Sequence, residues 1–154
     1  MIRLEKAVDS DCSLLHRLQV GCFQPLLEKY RDYDTNPGAE SLEKIKLRFG
    51  QEYTDYYLIY YRDAVVGMLR VCNYGRRCRL SPICILPEYQ GRGFAQTAMR
   101  EMERLYPEAK TWELDTILQE EKLCRLYEKM GYVRTGEYHR IQQGMDLVFY
   151  RKHL

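Results

Sequence analysis

Leu80-Ser81-Pro82-Ile83-Cys84-Ile85-Leu86-Pro87-Glu88-Tyr89-Gln90-Gly91-Arg92-Gly93-Phe94-Ala95 reads as an apolar strand, a turn carrying two glycines, and the first turn of an amphipathic helix. Glycines two residues apart remove the Cβ atoms that would hold a ligand away from the main chain, so successive N–H groups can converge on an anion. The helix that follows adds its unpaired N-terminal N–H groups and the positive end of its dipole. The stretch therefore predicts an anion cradle between a buried strand and a helix. Pro82 sharpens this, because a proline cannot donate to a ladder and so implies a bulge or a missing partner inside the strand.

Working outward, alternation over Ile2 to Lys6 predicts a first strand ending near Ala7. Asp9 or Ser10 is placed to cap a helix, and Leu14, Leu15, Leu18, Cys22, Leu26 and Leu27 recur at helical spacing. Gly21 and Pro25 predict a break between two helical pieces. Leu42, Ile45, Lys46 and Phe49 give a short amphipathic helix stopped by Gly50. Tyr56 to Tyr61 and Val65 to Cys72 are β-rich runs split by Arg62-Asp63-Ala64, a hairpin. Arg79 to Leu86 is the fourth strand, and Arg76-Arg77-Cys78-Arg79 before it reads as a solvated turn. After the glycines, Phe94, Ala98, Met102 and Leu105 share one helical face. Lys110 to Thr116 is then a fifth strand, parallel to the fourth because a helix connects them. Leu123, Leu126, Tyr127 and Met130 mark another helix with Gly131 past its end, and Tyr132 to Arg140 and Met145 to Arg151 complete the chain as strands. The fold class is α/β with a mixed, α+β type of sheet of about seven strands, helices on both faces, and a fourth and fifth strand that splay apart near Pro82.

The 154 residues fit one domain spanning 1–154, and nothing in them reads as a linker, a repeat or a low-complexity segment. With 24 basic and 22 acidic residues interleaved, the charge is too even for a dedicated nucleic-acid binder. No apolar run approaches the ~18 residues of a membrane span, and a cytoplasmic protein with no membrane partner is expected. Six cysteines without a C-x-x-C pair read as reduced core thiols. The three histidines have no second ligand at metal spacing, so no metal site is assigned. A Cys84–His139 catalytic pair is an open alternative.

The glycine turn alone admits three readings. Gly91-x-Gly93 with Asp115 about 20 residues later imitates a dinucleotide site. However, Gln96 stands where a third glycine belongs, and one βαβ unit does not build the repeated fold. It could also be a bare turn. Thirdly, Gln90-x-x-Gly93-x-Ala95 after Leu86-Pro87-Glu88-Tyr89 resembles the acyl-CoA signature of the GNAT N-acetyltransferase superfamily, and Leu126-Tyr127-Glu128-Lys129-Met130-Gly131-Tyr132 resembles a second segment of that family. The likeness extends over roughly Tyr56 to Lys152, including the closing strand.

That resemblance implies an acetyl-CoA-dependent N-acetyltransferase with a GNAT-like fold, acting on an amine of a small molecule or a peptide in a ternary complex. A CoA-binding sensor without turnover is the competing class. The family pattern places the pyrophosphate on the backbone of Gly91, Arg92, Gly93, Phe94, Ala95 and Gln96 after Gln90, with Ala95 standing for a common glycine and Arg92 near the 3′-phosphate. It places the pantetheine arm against the backbone of Ile83, Cys84 and Ile85. Tyr127 falls where the family carries the partner of the departing sulfur. Asp115 falls where members acting on protein N-termini carry a carboxylate and is the first choice as base, with Glu113 second. Glu120 departs from an asparagine common in the family. A backbone N–H freed by the bulge could polarise the thioester carbonyl. The cluster Glu28, Tyr30, Asp32, Tyr33 and Asp34 would suit a pocket for a cationic amine, with a plain solvated helix end as the alternative reading. An exposed final strand would allow a homodimer as well as a monomer.

Overall fold

The computed structural model describes residues 1–154. Seven strands form a single mixed sheet: β1 (Ile2–Lys6), β2 (Thr54–Tyr61), β3 (Ala64–Asn73), β4 (Arg77–Ile85), β5 (Thr111–Ile117), β6 (Val133–Gln142) and β7 (Met145–His153), in the order β1-β2-β3-β4-β5-β7-β6. Only β4 and β5 run parallel. Helices α1 (Cys12–Tyr30) and α2 (Leu42–Phe49) cover one face, and α3 (Phe94–Leu105) and α4 (Glu121–Lys129) cover the other. The larger apolar cluster lies under α3 and α4, joining Phe94, Ala98, Met99 and Met102 to Trp112, Leu114 and Tyr127. A smaller one joins Leu15, Leu18 and Cys22 of α1 and Ile45 of α2 to Tyr56, Leu58, Met68 and Cys84.

Several elements differ from the sequence reading, each for a tertiary reason. The expected break in the first helix is absent, and α1 runs unbroken through Gly21 and Pro25. An internal proline costs about 3 kcal/mol. Here the buried face of Leu15, Leu18, Gln19 and Cys22 anchors the helix to the sheet against that cost. Gly21 serves close packing, since a Cβ there would stand 3.2 Å from Leu86 Cδ2. Neither Asp9 nor Ser10 caps α1: they begin a short 3₁₀ turn, and Asp11 accepts from the Val8 N–H at 2.9 Å. Leu105 is half exposed, and Met99 takes the buried position expected for it. β4 starts two residues early, so Arg77 and Arg79 are strand residues paired with Glu113 and Asp115, not a solvated turn. The final strand β7 is interior, hydrogen-bonded on both sides by β5 and β6, so the edge strands of the sheet are β6 and β1. All six cysteines are buried and free of disulfides.

Gly67 governs how closely β3 approaches β4. An added Cβ would fall 2.1 Å from the Cys84 carbonyl oxygen, a contact with backbone that no rotamer relieves. Gly67→Ala is therefore expected to destabilise the protein by more than about 2 kcal/mol, as overpacked sites do. Urea unfolding checks this, and an unchanged midpoint would show that β3 and β4 can separate freely.

Candidate active site

The site begins where β4 and β5 stop pairing. Their register holds for Arg77↔Thr111, Cys78↔Trp112 and Arg79↔Glu113 and goes no further. On the other edge of β4, Leu69 faces Ile83 and Val71 faces Leu80, so Ser81 and Pro82 together oppose Arg70, a bulge at the proline. Beyond the bulge, Leu80–Ile85 and Leu114–Ile117 diverge around a cleft of about 650 Å³. The Leu86 N–H bonds to Val66 O. By strand alternation the Cys84 edge also faces β3, while the amide edges of Ile83 and Ile85 face the cleft.

At one end of the cleft lies the glycine turn. Gly91 and Gly93 have φ of +80° and +77°, the left-handed region that favours glycine, and a Cβ on either would meet no protein atom within 4 Å. The space above them is open. Gly93 caps α3 without a side-chain bond, and the first helical N–H to find an acceptor is that of Thr97, on Gly93 O at 3.1 Å. The N–H groups of Phe94, Ala95 and Gln96 are thus left for an anion, aided by the helix dipole. Gln90 acts through its side chain, whose Nε2 donates to Ile85 O at 2.9 Å and ties the turn to β4. The structure brings Ile83, Cys84, Ile85, Gln90, Gly91, Gly93, Phe94, Ala95 and Gln96 into one wall. Arg92 is outside it, its guanidinium 5.8 Å from the Tyr89 ring centroid and 6.0 Å from that of Phe94.

Tyr127 and Asp115 reach the same cleft from α4 and β5. Tyr127 is 7% exposed, and burial pushes its phenol above the ordinary tyrosine range, with the Asp115 charge adding to this. Its hydroxyl has no partner within the protein. Asp115 lines the cleft and is held by Arg79 through Oδ2, which leaves Oδ1 without a hydrogen-bond partner in the protein. Glu113 lies outside the cleft: burial raises its carboxyl, but hydrogen bonds from Arg77 and Arg151 outweigh this and hold it below the usual range. Cys84 and His139 do not meet. Cys84 is buried on β4 and His139 is exposed on β6, three strands away, or roughly 14 Å at ~4.8 Å per strand.

The opposite end departs most from expectation. None of Glu28, Tyr30, Asp32, Tyr33 and Asp34 lines the cleft. The buried Asp32 closes its own loop, accepting from the Asp34 and Thr35 N–H groups at 3.2 and 3.1 Å and from the Thr35 hydroxyl. Tyr33 is exposed, and Glu28 accepts from Gln24. In their place stand Thr35, Asn36, Glu40 and Arg48. The fully buried Gln19 positions this loop, donating to Pro37 O at 2.6 Å and Glu40 at 2.7 Å. Sequence reading missed Arg48 because it sat on the polar side of a short amphipathic helix, where a solvated charge is the ordinary outcome.

Glu120 has a definite role. It accepts from Lys29 at 2.7 Å and the Tyr30 hydroxyl at 2.5 Å, while Gln142 Nε2 donates to Tyr30 O at 2.6 Å. The C-terminal end of α1 is thereby strapped to the start of α4 and to the β6–β7 turn. Burial raises the Glu120 carboxyl, but its bonds to Lys29 and Tyr30 prevail and hold it below the usual range. A carboxyl lowered by folding stabilises above the unfolded value of about 4.3 and loses this as pH falls through the folded value. Glu120→Gln should lower Tm at pH 7 and make little difference at pH 3, which thermal unfolding at the two pH values checks.

The model of the acetyltransferase (GNAT) family matches residues 15–132. No curated protein matches the sequence significantly. Among solved structures, the chain is similar to an acetyltransferase from Thermus thermophilus (TM-score 0.77, 17% identity, 100% of this chain and 97% of the other). It is similar also to the ribosomal-protein-S18-alanine N-acetyltransferase from Escherichia coli (0.80, 12%, 99% and 94%). A third likeness is to the spermidine N-acetyltransferase from Vibrio cholerae in complex with CoA and spermine (0.75, 17%, 99% and 95%). At these identities the likeness is one of fold.

Proposed function

Because the chain belongs to the GNAT acetyltransferase family, we propose that it transfers the acetyl group of acetyl-CoA to a primary amine of a small molecule or peptide, by direct attack with both substrates in one cleft. The observation that carries this reading is that the open glycine cradle and the unpartnered Tyr127 hydroxyl share a single cleft with the unpaired edge of β4 between them. Acetyl-CoA supplies a thioester carbonyl and a thiolate leaving group. The main chain from Gly91 to Gln96 binds the pyrophosphate, and the free edges of Ile83 and Ile85, with Cys84 between them, pair with the pantetheine arm.

Transfer forms a C–N bond as the C–S bond breaks. The attacking amine must be neutral, and an alkyl ammonium of pKa ~10.4 has to lose its proton first. Asp115 Oδ1 receives that proton, with Arg79 fixing the carboxylate through Oδ2. The second proton, lost from nitrogen as the C–S bond breaks, goes to the departing sulfur to give the free thiol. An N–H on the free edge of β4 polarises the carbonyl. Tyr127 stabilises the thiolate by donating a hydrogen bond. Full proton transfer from a phenol of pKa ~10 to a thiolate of conjugate pKa ~8.5 is already uphill by roughly 2 kcal/mol, and burial of Tyr127 widens the gap.

A thiol-release assay with acetyl-CoA and a panel of amines tests the function. Binding of acetyl-CoA with no release from any amine would overturn it in favour of a sensor. Tyr127→Phe should keep stabilisation by acetyl-CoA and lose about 100-fold in kcat, as loss of one transition-state donor does. An unchanged kcat would exclude the hydroxyl. Since the phenol stays neutral beyond its ordinary range, kcat should show no descending limb below about pH 10. In Asp115→Asn the rising limb should move upward, and a retained limb would exclude this carboxylate as the base.

A further inference from the structure

The loop and helix that replaced the expected acidic pocket carry an excess of positive charge. Glu40 is the carboxylate at this end of the cleft. It takes two hydrogen bonds from Arg48 Nη1, at 2.6 and 2.7 Å, one from Gln19 at 2.7 Å, and has Lys44 at 3.9 Å. Its charge is more than matched. Arg48, with 21% of its side chain exposed, lines the cleft and spends only Nη1, so Nη2 and Nε keep their donors.

Behind it, on the same face of the sheet, Tyr56 lies directly across from Arg70 in the β2–β3 pair. Arg70 is 9% exposed, and its one bond is from Nε to Ser81 O at 2.6 Å, the carbonyl of the bulge that lines the cleft. It has no carboxylate within ion-pair distance. Tyr56 is 2% exposed and lies close to Arg48 and Arg70, which can only donate to its hydroxyl, so the phenol's own proton has no acceptor in the protein. Glu40 is committed to Arg48, Lys44 and Gln19, Arg70 has no carboxylate of its own, and a buried phenol beside them lacks an acceptor. Removing guanidinium charge from water without an anion is costly. The group such a cluster favours is an anion with planar or forked acceptors, which arginine binds through paired N–H groups.

Resting on the acetyl-transfer reading above, we propose that the acceptor carries an anionic group, a carboxylate or a phosphate, separate from its reacting amine. Arg48 binds that group, and Arg70 and Tyr56 behind it supply positive potential and a donor. Free polycations such as spermidine are then poor acceptors, since their second ammonium would be driven against this cluster. The reacting amine lies toward Asp115 and Tyr127, across the cleft from Arg48.

The test compares acceptors that differ only in the anion: lysine with cadaverine, arginine with agmatine, and glucosamine 6-phosphate with glucosamine, each followed by thiol release from acetyl-CoA. The anionic member of at least one pair should be favoured by roughly tenfold to a hundredfold in kcat/KM, the worth of a charge-assisted hydrogen bond. Which pair responds separates carboxylate from phosphate. Arg48→Gln should collapse the preference, chiefly through KM. Tyr56→Phe removes only the hydroxyl, keeps the fold should Arg48→Gln not, and should reduce the same preference several-fold. Faster turnover of the neutral or polycationic members, or a preference that survives both substitutions, overturns the inference while leaving acetyl transfer intact. If no amine releases thiol, acetyl transfer is the reading that fails. Thermal stabilisation by lysine or glucosamine 6-phosphate, absent with cadaverine or glucosamine and lost in Arg48→Gln, then still supports the anion site, and its absence overturns it.

Discussion

β4 cannot be a fully paired strand, and the rest of the molecule is arranged around that fact. Pro82 brings no N–H, and the two-for-one bulge with Ser81 turns the strand away from β5 directly after Arg79. Buried main-chain groups ordinarily must be satisfied. The edges of Ile83 and Ile85 are left bare where the sheet opens. The fold compensates on the other side of β4, where Gly67 lets β3 come close enough to seal its hydrogen bonds. One edge of the strand is held tightly while the other is left unpaired.

The two ends of the opened seam differ in how they meet charge. At the α3 end the receptor is main chain: left-handed glycines and helix N–H groups, which carry no formal charge and accept an anion through dipoles. At the α2 end it is side chain, with Glu40 outnumbered by guanidiniums. Between them Arg79 and Asp115 form a compensated pair at the fork of the strands. Neutral apolar walls from Cys22, Leu114 and Ile117 separate the charged regions. In such surroundings a neutral Tyr127 persists, because ionising it would place a second negative charge beside Asp115 away from water.

How much of this is legible in the sequence depends on the range of the interaction involved. The strand, glycine turn and helix over Leu80–Ala95 are encoded by neighbours a few residues apart, through apolar runs and φ requirements, and Pro82 announces its bulge locally. Tyr127 is legible for a similar reason, as part of a contiguous segment. The unbroken α1 is not, because Gly21 and Pro25 carry a local signal to stop, and that signal is overruled by packing against Leu86 and the sheet. The interior place of β7 is likewise illegible, as hydrophobic alternation gives a strand but not its neighbour. The acidic run Asp32 to Asp34 misled for a third reason. Composition counts a carboxylate as available, whereas Asp32 spends its oxygens on its own loop.

Glu120 shows how the same reasoning extends to a position that departs from a family pattern. Where an asparagine would offer its neutral amide to a ligand, a carboxylate at the start of α4 would face the dipole favourably but repel anions in the cleft. Here that charge is taken up by Lys29 and the Tyr30 hydroxyl. Glu120 thus tethers α1, the helix that also carries Gln19 and, through it, the loop that holds Glu40 against Arg48. The start of α4 and the charge balance at the Arg48 end of the cleft are linked through one helix. The continuity of α1 through Pro25 is what makes that linkage possible, since a break at Gly21 would separate the tether from Gln19 only a short distance upstream.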